Sequence, residues 1–135
     1  MRKNKEEIPP FFLWGFHILN KWLQIKNAGK SLKPYFEENY LSSVAIYGLG
    51  AMGQRLYEEL QLEGIDVKYG IDQNAKNIQI EGLEIKTLEE ELLKVDVVIV
   101  TPIAFYEIEK SLCNKMGEDL AIVSIEDIID YCFEF

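Results

Sequence analysis

One stretch constrains the fold of this chain more than any other. It is Gly48-Leu49-Gly50-Ala51-Met52-Gly53, set directly behind the apolar run Val44-Ala45-Ile46-Tyr47. A G-x-G-x-x-G pattern is weak evidence alone, because short glycine patterns recur by chance. Here it follows a run with strand character and opens a run with helical periodicity. In that helix Met52, Leu56 and Leu60 face inward, and Arg55, Glu58, Glu59 and Glu63 face outward. An acid, Asp72, ends the next apolar run 19 residues beyond Gly53, close to the spacing of a ribose-binding carboxylate. In such a turn Gly48 lets the chain leave the strand sharply, and Gly50 lets a phosphate approach the backbone. Gly53 lets the helix pack closely on the strand. The N–H groups and positive dipole end of the helix then face the anion. Asp72 would take the ribose hydroxyls, and its charge would repel a 2′-phosphate, which favours NAD over NADP.

The rest of the chain continues the alternation. Residues 67–71 read as a second strand, and residues 78–80 and the region of Ile85 as short ones. Asp96-Val97-Val98-Ile99-Val100 is the clearest buried strand, and Ala121-Ile122-Val123 the last. Thr87 and Glu90 have capping-box spacing for a helix over residues 88–93. Thr101 is expected to cap the following helix, with Pro102 at its first position. Ser124 caps a final helix, with Asp127 at the reciprocal position. Strands alternating with helices predict an α/β fold of three layers. Its sheet is parallel in the order 3-2-1-4-5, with right-handed crossovers. Ligands of such sheets bind at the carboxyl edge, which adds Thr101 and Pro102 to the candidate contacts Gly48, Leu49, Gly50, Ala51, Met52, Gly53 and Asp72. Arg55 could reach a phosphate from the first helical turn, but an exposed helix arginine is the favoured reading.

The segments Ala45-Ile46-Tyr47-Gly48-Leu49-Gly50-Ala51-Met52-Gly53, Tyr69-Gly70-Ile71-Asp72-Gln73-Asn74 and Val97-Val98-Ile99-Val100-Thr101-Pro102 carry a resemblance. In this order they resemble the small Rossmann-like NAD(P)-binding or nucleotide-sugar-binding domains of bacterial capsule and surface-polysaccharide biosynthesis. The likeness spans residues 42–130. It implies a nucleotide-binding fold, with NAD as cofactor or a UDP-sugar or other nucleotide in its place. The glycine turn also resembles that of β-hydroxyacid dehydrogenases, but the catalytic lysine of those enzymes lies on a second domain with no counterpart here.

Net charge is −9, which argues against nucleic acid as a partner. Its distribution is uneven. Residues 1–34 hold seven basic against two acidic side chains, and residues 35–135 hold seven against twenty-one. The chain therefore divides into a basic helical extension, residues 1–41, and an acidic nucleotide-binding domain, residues 42–135. Helical spacing over residues 10–26 places Phe11, Trp14, Ile18, Trp22 and Ile25 on one apolar stripe. Phe12, Phe16, Leu19 and Leu23 form a second stripe beside it, and His17 lies on the polar side. Ser31 can cap a short helix whose Leu32, Tyr35, Phe36 and Tyr40 point one way.

So much exposed apolar surface demands cover. The sheet, a second copy in a homodimer, or an anionic membrane surface reached with Arg2, Lys3 and Lys5 could supply it, the homodimer being the favoured expectation. No run is long enough to span a bilayer, no small-residue cleavage site follows the basic start, and a cytoplasmic setting is expected. Cys113 and Cys132 lack metal spacing and read as buried thiols in a reducing setting. Glu89-Glu90-Glu91 reads as a solvated face. A single histidine leaves no Ser-His-Asp, Cys-His or HxxE arrangement, and Asp72, Thr101 and Tyr106 are the local candidates for acid–base work. Three functional readings follow: a stand-alone nucleotide-binding accessory or regulatory protein, a small NAD-dependent or sugar-nucleotide enzyme completed by a partner, and a non-binding assembly scaffold.

Overall fold

A computed structural model describes residues 8–134. In chain order the elements are α1 (Pro10–Asn27), α2 (Lys33–Glu38), β1 (Ser43–Tyr47), α3 (Ala51–Leu62), β2 (Asp66–Ile71), β3 (Ile85–Lys86), β4 (Val97–Val100), α4 (Phe105–Met116), β5 (Ala121–Ser124) and α5 (Ile125–Glu134). The five strands form one parallel sheet in the order β3-β2-β1-β4-β5. The strand order and helical extension agree with the sequence, and the fold is Rossmann-like.

Successive side chains of a strand point to opposite faces, and here both faces are covered. Val44 and Ile46 join one core with Leu56 and Leu60 of α3, Val97 and Ile99 of β4, and Ile125, Ile128 and Ile129 of α5. Ala45 and Tyr47 face the other core with Tyr69, Ile71, Val98, Val100 and Leu112 of α4. Burial on both sides explains why β1 and β4 read as unbroken apolar runs. The first core also takes Ile18, Trp22 and Ile25 from α1 and Leu32 and Phe36 from α2. The N-terminal extension therefore shares its core with the sheet. α1 lies against both α3 and α5, bonded to α5 through Trp14 Nε1–Glu126 Oε1 at 3.0 Å and Lys21 Nζ–Asp130 Oδ1 at 2.8 Å.

Several local expectations need correction. No helix forms over residues 88–93, although Thr87 N–H does donate to Glu90 at 2.9 Å. The start signal is present, but six residues are too few to sustain a helix alone, and tertiary contacts claim the segment. Leu88 and Leu92 pack on the second core, the Tyr69 hydroxyl donates to the Leu93 carbonyl, and Lys86 Nζ donates to the Glu91 carbonyl. α4 begins at Phe105 behind an Ala104 cap, not at Pro102, because Thr101 is turned inward beneath the glycine turn. Residues 78–80 contribute only an isolated antiparallel bridge, Ile80 to Leu83. Tyr40 is exposed with φ 57°, off the face that buries Leu32 and Phe36.

Glu59, expected outside, is 5% exposed. Its Oε1 accepts from Trp22 Nε1 at 2.6 Å, its Oε2 from the Leu32 N–H at 2.7 Å, and Lys26 Nζ lies 3.4 Å from Oε2. At the start of α5 the Ser124 cap forms, its Oγ accepting from the Glu126 N–H at 3.1 Å, while burial raises the Asp127 carboxyl pKa and the nearby Ser124 backbone opposes that shift. His17 is exposed on the outer side of α1. Arg2, Lys3 and Lys5 lie outside the described residues. Among the described residues no helix is long and apolar enough to cross a membrane.

Candidate functional site

The candidate site is the joint between β1 and α3 at the carboxyl edge of the sheet, where three glycines meet three different demands. Gly48 has φ +95°, a conformation that side chains rarely adopt, and a Cβ there would lie 2.5 Å from Thr101 Oγ1 and 2.7 Å from Pro102 Cδ. A Cβ on Gly53 would sit 1.9 Å from the Gly48 carbonyl oxygen, so only glycine lets α3 pass so close to the strand end. Gly50 differs from both. Its φ of −74° and ψ of −159° suit any residue, and a Cβ there would meet nothing within 4 Å.

Around these glycines the turn is held from three sides. Thr101 is buried, its Oγ1 lies 2.8 Å from the Gly48 carbonyl and 3.1 Å from that of Tyr47, and its N–H donates to Tyr47 O at 3.0 Å. Pro102 is half-buried against Gly48. From β2, Asp72 accepts the Leu49 N–H on Oδ2 at 2.8 Å and the Asn74 N–H on Oδ1 at 2.9 Å. Gln54 Nε2 closes the turn by donating to Leu49 O at 3.0 Å.

The Leu49 side chain is fully buried. It fits because β2 carries Gly70 opposite it, where a Cβ would lie 2.7 Å from Leu49 Cδ2. Gly50 and Ala51 face solvent, and Met52 is half-buried with its Cε 3.7 Å from where a Cβ on Gly15 of α1 would be.

Of the residues singled out in the sequence, the structure thus brings Gly48 to Gly53, Asp72, Thr101 and Pro102 into one locus, in different capacities. Gly50, Ala51 and Met52 present backbone at the open rim. Gly48, Gly53, Thr101 and Pro102 build the turn from beneath. Asp72 does both, because each carboxylate oxygen holds one backbone N–H and an ionised carboxylate can accept about four bonds. Gly50 caps α3 without a side-chain hydrogen bond, and the first ladder bond starts at the Gln54 N–H, 2.9 Å from Gly50 O. The N–H groups of residues 51–53 therefore precede the ladder at the positive end of the helix.

Beside Asp72 lies Tyr47. Burial pushes its phenol pKa above the ordinary value; a hydrogen bond with Gln73 opposes that shift, and the charges of Asp72 and Glu89 reinforce it. The ring is a neutral wall, not a base. Tyr106 stands exposed in the first turn of α4, edge-on to Phe105. Among the described residues no group of three or more His, Cys, Asp or Glu could hold a metal. The open rim presents backbone N–H donors at the positive end of α3, and the Asp72 carboxylate keeps acceptor capacity beside them.

Sequence reasoning missed Gln54, the Tyr47–Gln73 contact and the role of Gly70. Gly70 was detectable in principle, since a glycine inside a strand marks a close approach. Set against known proteins, the chain matches no family model, no curated protein and no solved structure.

Proposed function

We propose that this protein binds the diphosphate of a nucleotide, NAD first among candidates and a UDP-sugar second, on the amides of residues 50–53. Asp72 receives the ribose hydroxyls. It serves as an accessory or regulatory component of nucleotide-sugar or surface-polysaccharide metabolism, the setting its motifs resemble.

Gly50 is the observation that carries the reading. Gly48 and Gly53 have internal reasons to be glycine, one in its backbone angle and neighbours, the other in the Gly48 carbonyl. Gly50 has neither, and the space its Cβ would fill lies in front of the open end of α3. A bound phosphate supplies the missing reason. One observation favours the alternative of an assembly scaffold that binds nothing: Asp72 already has a structural task in holding Leu49 and Asn74.

Thermal unfolding with NAD, NADH, NADP and UDP-sugars, each run on the wild type and on Gly50→Val, separates the two. A ligand at 100 times its dissociation constant adds about 2.7 kcal/mol, a rise of several degrees. The expected result is a shift with NAD or NADH, smaller with NADP, that Gly50→Val abolishes. A shift confined to UDP-sugars reassigns the ligand. A flat response to every nucleotide leaves the scaffold.

A further inference from the structure

α1 carries two apolar stripes, and the fold covers one of them apart from Phe11, which stays 53% exposed. Trp14, Ile18, Trp22 and Ile25 are turned toward α3 and α5. Phe12, Phe16, Leu19 and Leu23 remain 60%, 64%, 43% and 59% exposed, and Leu62 of α3 extends the patch at 84%. Between the two helices lies a shallow apolar hollow of about 390 Å³, lined by Leu19, Leu23 and Leu62 and bordered by Arg55 and Glu58. The stripe runs at spacings of four, three and four residues, which is the seam of a coiled coil and not the broad face of a helix lying on a sheet.

We infer that this stripe is the contact surface of a homodimer. Two copies of α1 pack antiparallel across a two-fold axis, with Phe12 against Leu23 of the second copy and Phe16 against Leu19. Area supports a second copy: the exposed parts of the five side chains amount to on the order of 600 Å² per protomer, about the upper limit for a patch left bare on a monomer and enough for a specific two-sided interface. Size matching supports the antiparallel sense, because every layer then pairs a phenylalanine with a leucine, where a parallel pair would set Phe against Phe.

Charge points the same way. Among the described residues, the cations beside the stripe are already held by carboxylates of their own chain, Lys26 by Glu59 at 3.4 Å and Arg55 by Glu58 at 2.8 Å. An anionic lipid surface needs basic side chains turned toward it. The flanking positions Asn20, Gln24 and Asn27 are neutral amides, suited to the rim of a protein interface. Arg55 and Glu58 together make the border self-complementary under a two-fold axis, as an isologous contact requires. The inference does not depend on the nucleotide site.

The test is sedimentation velocity on the full chain across micromolar concentrations, with Leu19→Glu/Leu23→Glu as the disrupting variant and flotation with phosphatidylglycerol vesicles in parallel. The expected result is twice the chain mass for the wild type. The variant should sediment at the chain mass with an unchanged circular dichroism spectrum, and neither should float. If the double variant fails to fold, Leu62→Lys at the most exposed position should weaken the dimer at least tenfold. A wild type at the chain mass overturns the inference, as does a dimer indifferent to these substitutions. A monomer that floats with vesicles assigns the stripe to lipid instead.

Discussion

Among the described residues Glu59 is the one carboxylate shut inside the main core, and truncating it should cost more than removing any other of their polar side chains. In Glu59→Ala the Trp22 indole N–H and the Leu32 N–H lose acceptors at 2.6 and 2.7 Å, in a place where water does not replace them. Hydrogen bonds to a charged group are worth about 1.5–3 kcal/mol each, and breaking a buried charged network costs roughly 3–5 kcal/mol. The Lys26 contact at 3.4 Å adds less, because that side chain is partly exposed to solvent. For a domain of this size 1 kcal/mol is roughly 4 °C, so the melting temperature should fall by roughly 10–20 °C.

Urea unfolding gives the free energy directly. Glu58→Ala one position earlier is the control: it removes only an exposed pair with Arg55 and should stay within about 0.5 kcal/mol of wild type. Glu59→Gln keeps one acceptor and should lose about half as much as the alanine variant. A double-mutant cycle with Trp22→Phe should show a coupling of at least about 1 kcal/mol, since the two groups share one bond. If Glu59→Ala costs under 1 kcal/mol, or no more than Glu58→Ala, the network does not join α1 and α2 to α3 and the reasoning fails.

Two further outcomes are expected. Gly50→Ala should leave stability unchanged or raise it by up to about 1 kcal/mol, because the backbone angles are compatible and the space is open, whereas Gly53→Ala, with its Cβ 1.9 Å from the Gly48 carbonyl, should cost several degrees in the same calorimetric scan or prevent folding; equal effects would refute the division of labour among the glycines. Asp96 accepts the Ser42 and Ser43 N–H groups, and those bonds hold its carboxyl below the usual carboxylate range; its contribution is therefore present above the unfolded pKa of about 3.9 and lost as the pH falls through the lower folded value, so Asp96→Asn should flatten the acid limb of a stability–pH curve below about pH 4, and an Asp96 carboxyl titrating by NMR at the ordinary value would contradict it.

The sheet was legible because its signals are dense and local. Val97 to Val100 admit few readings other than a doubly covered strand, and glycine spacing with Asp72 set the register of β1, α3 and β2. What stayed hidden depends on contacts between distant residues. Thr87 and Glu90 announced a helix that the chain abandons, because Leu88 and Leu92 serve the second core better in an irregular path. Thr101 carries the chemistry of a helix cap yet bonds beneath the turn, and only the fold brings the Gly48 carbonyl to it. Glu59 looked like one of several surface acids, since helical periodicity assumes one buried face. α3 is covered a second time by α1, and that doubles the inside. The glycines could be placed by pattern. That Gly48 and Gly53 answer to neighbours while Gly50 answers to none needed coordinates.

The bonds that fasten α1 and the start of α2 to α5 also set the order in which the chain can mature. Trp14 meets Glu126 across 112 residues, Lys21 meets Asp130 across 109, and the Cys132 thiol donates to the Leu32 carbonyl across 100. As the chain leaves the ribosome, α1 emerges early while half of its seat is still unmade. The stripe that carries Trp14, Ile18 and Trp22 lacks that half of its cover until α5 appears. Closing such long loops is slow, and exposed apolar helices on unfinished chains are prone to associate wrongly. Synthesis of α5, after the glycine turn and the sheet, completes the seat of α1, and holdase chaperones should find this chain chiefly through α1.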